Sequence, residues 1–402
     1  MSINKRWLAA AALVLAATAS AGAQEQQQPQ PSEFASWRVP GWTFVPGVTL
    51  GAIYDTNFAL STATAEAGRT DSDQVMRAAP FGQLEYWGRR TEFASGYRGY
   101  MNRYADVDQL NSYDQQLQVS LRRQASRRVS FYLQDSFNDV ATTDEVQLNG
   151  VPFTRTGARA NSFAAGVDAR LTRYTDLAVR YDNAWVDFDR KENFLTNGWV
   201  NGVRTELSRR LSERAAIGGE YRFRRADLNE GTREMTFHDT GGTVRYALGP
   251  HTSWSAGGGV SRLEDKLTGD IRTGPYIRSS ITHRGERATI GAAAERTFLP
   301  SFGFGGTTKS QEVRGFVQMP LTRNRLYVES WASWRRADPF IESELKLDTI
   351  TFHATLGYAI ARWLRPEFFY AYTQQDSEVT GGEIYRHRVG AQMLVSQPVR
   401  IR

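Results

Sequence analysis

Cysteine is absent from the 402 residues, which excludes disulfides, thiolate metal sites and a cysteine nucleophile. Long hydrophobic runs are missing beyond the first two dozen residues, so no later stretch reaches the roughly 20 apolar residues that a spanning helix needs. Blocks of one charge sign are missing too. The 49 lysines and arginines and 43 acids are interspersed along the chain, leaving a net charge of +6. That pattern lacks the basic patch of a nucleic-acid binder, so no nucleic acid is expected as a partner. The mean hydropathy of -0.49 is low. It would suggest a water-soluble fold, except that a sheet closed on itself needs apolar residues only at alternate positions.

What is present begins with an export signal. Lys5 and Arg6 precede an apolar run from Trp7 to Ala19, and Ala21-Gly22-Ala23 supplies a small-residue cleavage site. Residues 1–23 are therefore expected to be a signal peptide. Its loss would remove two positive charges and take the net charge from +6 to about +4. Residues 24–41, rich in Gln, Pro and Ser, read as a disordered periplasmic lead-in.

From Trp42 to the end, residues 42–402, the texture is that of strands. Val129, Phe131, Leu133 and Phe137 alternate with Ser130, Tyr132, Gln134 and Ser136. Ile350, Phe352, Ala354, Leu356 and Tyr358 alternate in the same way with Thr351, His353, Thr355 and Gly357. A two-residue period sustained over such segments means antiparallel strands with one apolar face. About eighteen are expected, sixteen if one weak hairpin is misread: 43–56, 73–88, 91–104, 112–124, 128–138, 160–172, 175–189, 198–211, 214–227, 236–248, 252–264, 271–284, 287–298, 308–321, 324–337, 346–361, 364–377 and 383–397.

Tight turns such as Arg89-Arg90, Ser126-Arg127, Arg173-Tyr174 and Gly249-Pro250 alternate with longer loops such as Asn57–Ser72, Asp139–Arg159 and Arg190–Asn197. Aromatic residues gather near the turns (Trp42, Phe44, Tyr86, Trp87, Tyr174, Trp254, Trp363) and near the loops (Tyr54, Tyr104, Tyr113, Phe137, Trp185, Trp199, Phe237). A soluble propeller or sandwich predicts neither feature. The expected fold is an all-β, antiparallel up-and-down transmembrane β-barrel in a bacterial outer membrane, with short turns in the periplasm and lipid against its outer face.

If the apolar faces meet lipid, the opposite faces line the lumen. The expected lining includes Glu85, Arg98, Arg122, Asp168, Arg170, Arg180, Arg204, Glu206, Glu220, Arg222, Arg245, Arg278, Arg314, Glu329, Arg386 and Arg388. Charges at this density need water or partners. They suit either a constriction that selects a hydrophilic solute, with the arginine excess favouring an anionic saccharide, or cross-strand ion pairs in a wet wall. Catalysis is less well served. The five histidines are scattered, and the His238-Asp239 dipeptide, near one end of a strand, has no serine partner. No enzyme activity, cofactor or metal is expected; Asp71, Asp73, Asp106 and Asp108 read as solvated turn residues rather than calcium ligands.

The segment Gly51-Ala52-Ile53-Tyr54-Asp55-Thr56-Asn57-Phe58 closes the first strand. It resembles the Tyr-Asp-Asp-Asn-Leu-Phe signature of the outer-membrane family known as β-barrel porin 2, with Thr56 and Phe58 departing from it. The resemblance implies a porin-like barrel associated with exopolysaccharide loci. Asp55 and Asn57 are expected to cap the loop that follows. The chain ends Gln397-Pro398-Val399-Arg400-Ile401-Arg402, without the terminal aromatic residue by which barrel assembly machinery recognises many such proteins. The channel is expected to be a monomer. The alternative is a non-conducting structural or adhesive barrel that binds a partner through its long loops, with Asp139–Arg159 as the main candidate.

Overall fold

The computed structural model describes residues 40–61, 72–146, 148–189, 195–229, 231–303, 306–322, 325–339, 346–377 and 382–401. The expected signal peptide and nearly all of the lead-in lie outside the described residues. The strands are β1 (Gly41–Asp55), β2 (Asp73–Trp87), β3 (Thr91–Tyr104), β4 (Ser112–Gln124), β5 (Val129–Val140), β6 (Ala158–Arg170), β7 (Thr175–Phe188), β8 (Gly198–Arg210), β9 (Ala215–Leu228), β10 (Arg233–Ala247), β11 (Thr252–Asp265), β12 (Ile271–Arg284), β13 (Thr289–Pro300), β14 (Thr307–Thr322), β15 (Leu326–Pro339), β16 (Leu347–Tyr358), β17 (Leu364–Ser377), β18 (Gly382–Ser396) and a short β19 (Val399–Ile401). A single helical turn, α1 (Thr143–Val146), sits in the β5–β6 loop. No helix among the described residues is long and apolar enough to cross a membrane.

Each strand pairs antiparallel with the next, and β18 pairs with β1 to close the ring. Closure leaves no open edge, so every ladder group finds a partner without water. The segment β19 continues β18. Ser396 opposes Gly47 and Val399 opposes Phe44, which is one unbroken register interrupted at Gln397-Pro398. A proline stands on each strand at that break, Pro46 on β1 facing Gln397 and Pro398 facing Val45, and neither can donate a ladder hydrogen bond. The barrel is thus eighteen-stranded, with its last strand extended past a proline gap.

Three of the tight turns share one device. The hydroxyls of Ser126, Thr172 and Ser212 each accept the backbone N–H groups two and three residues on, at 3.0–3.2 Å. A short polar side chain thereby replaces the ladder bonds the reversing chain gives up.

The alternation sorts the side chains by face. Leu50, Tyr54, Met76, Ile277 and Phe368 are exposed on the outside, whereas Thr43, Asp55, Glu85, Asp114, Glu220 and Arg386 are buried within the ring. Most of the expected girdle residues do point outward, including Trp42, Tyr54, Tyr113, Tyr174, Trp185 and Trp363. Three do not. Tyr104 and Phe237 are buried inside the barrel, and Trp87 shares the inward register, its indole N–H donating to Glu85. Phe237 joins an interior apolar cluster with Val186, Phe188, Leu228, Met235 and Phe298 at the outer end of the barrel, packed by Val151 and Phe302 from two loops. The interior is therefore not polar throughout, which the simple rule of apolar out and polar in misses.

Candidate functional site

The residues linking β5 to β6 do not project away from the barrel. Among them Thr142, Thr143, Asp144, Asn149, Val151, Phe153 and Thr156 are buried, and their partners lie on distant strands. At the start of the loop, Asp114 on β4 accepts the backbone N–H of Ala141 at 3.0 Å. Further along, Asn149 donates to Thr308 at 2.7 Å, the Ser301 hydroxyl donates to the Asn149 carbonyl at 3.1 Å, and the Phe153 N–H donates to Gln375 on β17 at 2.7 Å. Arg155 donates to the Phe58 carbonyl at 2.5 Å. A segment rooted at β5–β6 that bonds to residues of β14, β17 and the β1–β2 loop must cross the interior. The loop, expected to face outward and named as the main candidate for partner binding in the alternative reading, is drawn in by interior polar partners that local sequence does not reveal.

Gly150 makes the crossing possible at its tightest point. Its φ of +66° is unfavourable for other residues, and a Cβ there would lie 2.1 Å from the Ser301 hydroxyl.

The strongest anchor is ionic. Arg386 on β18 grips Asp55 at the end of β1 with two guanidinium nitrogens, at 2.6 and 3.1 Å, and Asp144 of α1 with a third at 2.5 Å. All three side chains are almost fully buried. Beside them Arg388 donates to Glu145 at 2.5 Å. Burial alone would raise the Glu145 pKa, but Arg388, Arg77 and Arg386 together outweigh it and hold the carboxyl down at about 2. The clamp joins the closing seam of the barrel to the loop.

The sixteen charged residues expected in the lumen all fall in the inward register: Glu85 on β2, Arg98 on β3, Arg122 on β4, Asp168 and Arg170 on β6, Arg180 on β7, Arg204 and Glu206 on β8, Glu220 and Arg222 on β9, Arg245 on β10, Arg278 on β12, Arg314 on β14, Glu329 on β15, and Arg386 and Arg388 on β18. The structure brings one group together. Glu220 receives Arg204 at 2.5 Å, Arg278 at 2.6 Å and the Tyr276 hydroxyl at 2.7 Å, while Glu206 pairs with Arg245 at 2.7 Å. Others stand apart. Arg98 lies over the Phe81 ring and Arg180 over Tyr132, while Arg170 approaches Asp176 and Arg222 approaches Asp182.

The dipeptide His238-Asp239 is split by the strand period. His238 faces outward against Tyr221 and Phe223, and Asp239 faces inward, gripped by Arg224 at 2.7 Å and Ser261 at 2.5 Å. Neighbours on a strand point to opposite faces, so the two cannot share one reacting centre. Among the described residues no group of histidines and acids could hold a metal ion. Asp73 instead braces the backbone N–H of Asp106 at 3.2 Å.

No family model and no curated protein matches this chain. The barrel is similar in plan to several solved structures. One is OccAB4 of Acinetobacter baumannii, with 8% identity over 90% of this chain and 99% of that one, at a TM-score of 0.45. Another is the outer membrane protein OpdK of Pseudomonas aeruginosa, with 11% identity over 88% and 99%, at 0.43. A third is OpdL of the same species, with 9% identity over 90% and 99%, at 0.42. At such identity and fit, what those proteins carry is no guide to this one. The closed ring and its apolar exterior decide the location on physical grounds. This chain is an outer-membrane β-barrel.

Nothing in the sequence pattern marks Asp144, Asn149 or Gln375 as site residues. The sequence does single out Asp55 and Asn57. Asn57 caps the loop as expected, its amide bonded to the Ser61 and Tyr385 carbonyls at 2.8 and 3.0 Å, while Asp55 also forms half of the seat for Arg386.

Proposed function

We propose that this barrel is a loop-constricted channel for small hydrophilic solutes of negative charge, anionic saccharides among them, working as a monomer after insertion by the barrel assembly machinery. The observation that carries the reading is the β5–β6 loop held across the lumen by Arg386 and Arg388, with an arginine-rich wall of Arg180, Arg204, Arg222 and Arg278 on the strands that follow it. A polymer could not be threaded past this loop unless the clamp opened. Diffusion of small solutes is therefore favoured over exopolysaccharide export, the role implied by the resemblance at residues 51–58. Genes for polysaccharide synthesis beside this one would revive export.

The apolar cluster at the outer end supports a second reading, a barrel closed to solutes that serves structure or adhesion. Planar-bilayer recording of the purified protein, and of a form lacking residues 143–156, separates the two. A channel gives small unitary currents that grow several-fold on deletion of the loop, whereas silence in both forms removes the channel reading.

A further inference from the structure

Where the loop meets the barrel wall, its residues Leu148, Val151 and Phe153 line a small cavity together with Ser333, Arg335, Thr349 and Thr351 of β15 and β16. One inward-facing step toward the periplasm from that seat, the wall changes character. Phe316, Trp331 and His353 are direct register neighbours on β14, β15 and β16, and Phe369 on β17 lies diagonally beside His353. The Trp331 and His353 rings are 6.1 Å apart and 14° from parallel; those of His353 and Phe369 are 6.1 Å apart and 12° from parallel. All four side chains remain half-buried rather than covered.

A row of rings on the inner wall of a membrane barrel faces water and gains nothing from lipid. Cross-strand ring pairs stabilise a sheet wherever they occur, but the neighbours of this row are also disposed for a ligand. Arg314 follows Phe316 by one inward step toward the loop. It is exposed, and among the described residues it has no hydrogen bond or ion pair. Inward neighbours along a strand are spaced by about 7 Å, which places a fixed cation within one sugar ring's length of the aromatic row. The Ser333 hydroxyl, bonded to that of the buried Thr351 at 2.5 Å, stands at the level of Arg314, and Gln318, Glu329 and Thr355 lie one step below the rings.

We infer that this row is a subsite for a hexuronate, an anionic pyranose. The C–H face of the sugar packs on Trp331 and His353, the carboxylate takes the Arg314 guanidinium, and the ring hydroxyls meet the polar side chains above and below. Hydroxyls ringing the row favour a sugar over an aromatic acid, whose rim has little to offer them. The inference rests on the reading of the barrel as a solute channel and names the solute class for it.

The test reads binding rather than current: saturation-transfer NMR on the detergent-purified protein titrated with glucuronate, glucose, acetate and benzoate. Glucuronate is expected to bind more tightly than each of the other three. Arg314→Gln should weaken glucuronate by about tenfold while leaving glucose unchanged, and Trp331→Ala should weaken both sugars by about tenfold. Heat-modifiable gel migration confirms that each variant is still a barrel. Unchanged glucuronate affinity in Arg314→Gln, or benzoate binding more tightly than glucuronate, overturns the assignment. A barrel silent in bilayers that still binds glucuronate in this pattern would discard the channel and keep the subsite; an open channel without such binding would do the reverse.

Discussion

Arg386 is the residue on which the loop's position depends most. It bonds two carboxylates from parts of the chain far apart in sequence, Asp55 and Asp144, in a pocket closed to water. A buried ion pair adds little over a well-packed apolar alternative, but removing one partner strands the other, at a cost of about 3–5 kcal/mol. Arg386→Gln should therefore free the loop: amide hydrogen exchange over residues 141–157 is expected to rise steeply while the strands keep their protection. Asp144→Asn should have a smaller effect, because Arg386 keeps its bidentate bond to Asp55. The neighbouring Glu145 sets the pH range. Its carboxyl is held at about 2 when the loop is docked, below the roughly 4.3 of a free glutamate. Its contribution is fully present above the free value and is lost as pH falls through about 2. Loop exchange should thus be insensitive to this group from pH 8 to pH 5 and accelerate only below about pH 4. A rise between pH 7 and 5 would show that another group controls docking.

The strands were legible because each needs only its own residues. Two-residue alternation marks a wall with lipid on one side, and the expected spans agree with the eighteen barrel strands to within three residues at either end. Turn chemistry was equally local, as Ser126 shows. The β5–β6 loop was not legible, since its partners Gln375 and Arg386 stand 222 and 242 residues away from the groups they hold. Composition says that such a segment is a loop, but not which way it folds. The interior cluster around Phe237 was missed for a related reason: an aromatic near a strand end reads as girdle unless its register is known. The segment β19 went unseen because Pro398 breaks the pattern before it. Three residues pairing with Trp42–Phe44 are worth about 1–3 kcal/mol at the usual net value of a hydrogen bond. Deleting residues 399–402 should lower the barrel's melting midpoint without changing its conductance; an unchanged midpoint would make β19 an idle extension.

At the scale of the whole barrel, the lumen has two unlike walls. In a ring of eighteen strands β16 stands opposite β7, so the aromatic row on β14–β17 looks across at the wall that carries Tyr132, Arg180 and Arg204. On the middle of β7–β12 the arginines Arg180, Arg204, Arg222, Arg224, Arg245 and Arg278 outnumber the carboxylates that pair with them, Asp182, Glu206, Glu220 and Asp239. Paired charges cancel at a distance, so the surplus sets the field an ion meets in the pore. Under a salt gradient the reversal potential should carry the sign of anion selectivity. Arg180 and Arg314 are the residues to alter, because among the described residues neither has an ion-pair partner and changing them leaves the Glu220 group intact. Arg180→Glu with Arg314→Glu should shift the reversal potential toward cations at low salt, and the shift should shrink as added salt screens the wall. A wild-type pore that prefers cations would mean that the paired acids, not the arginine surplus, face the path of the solute.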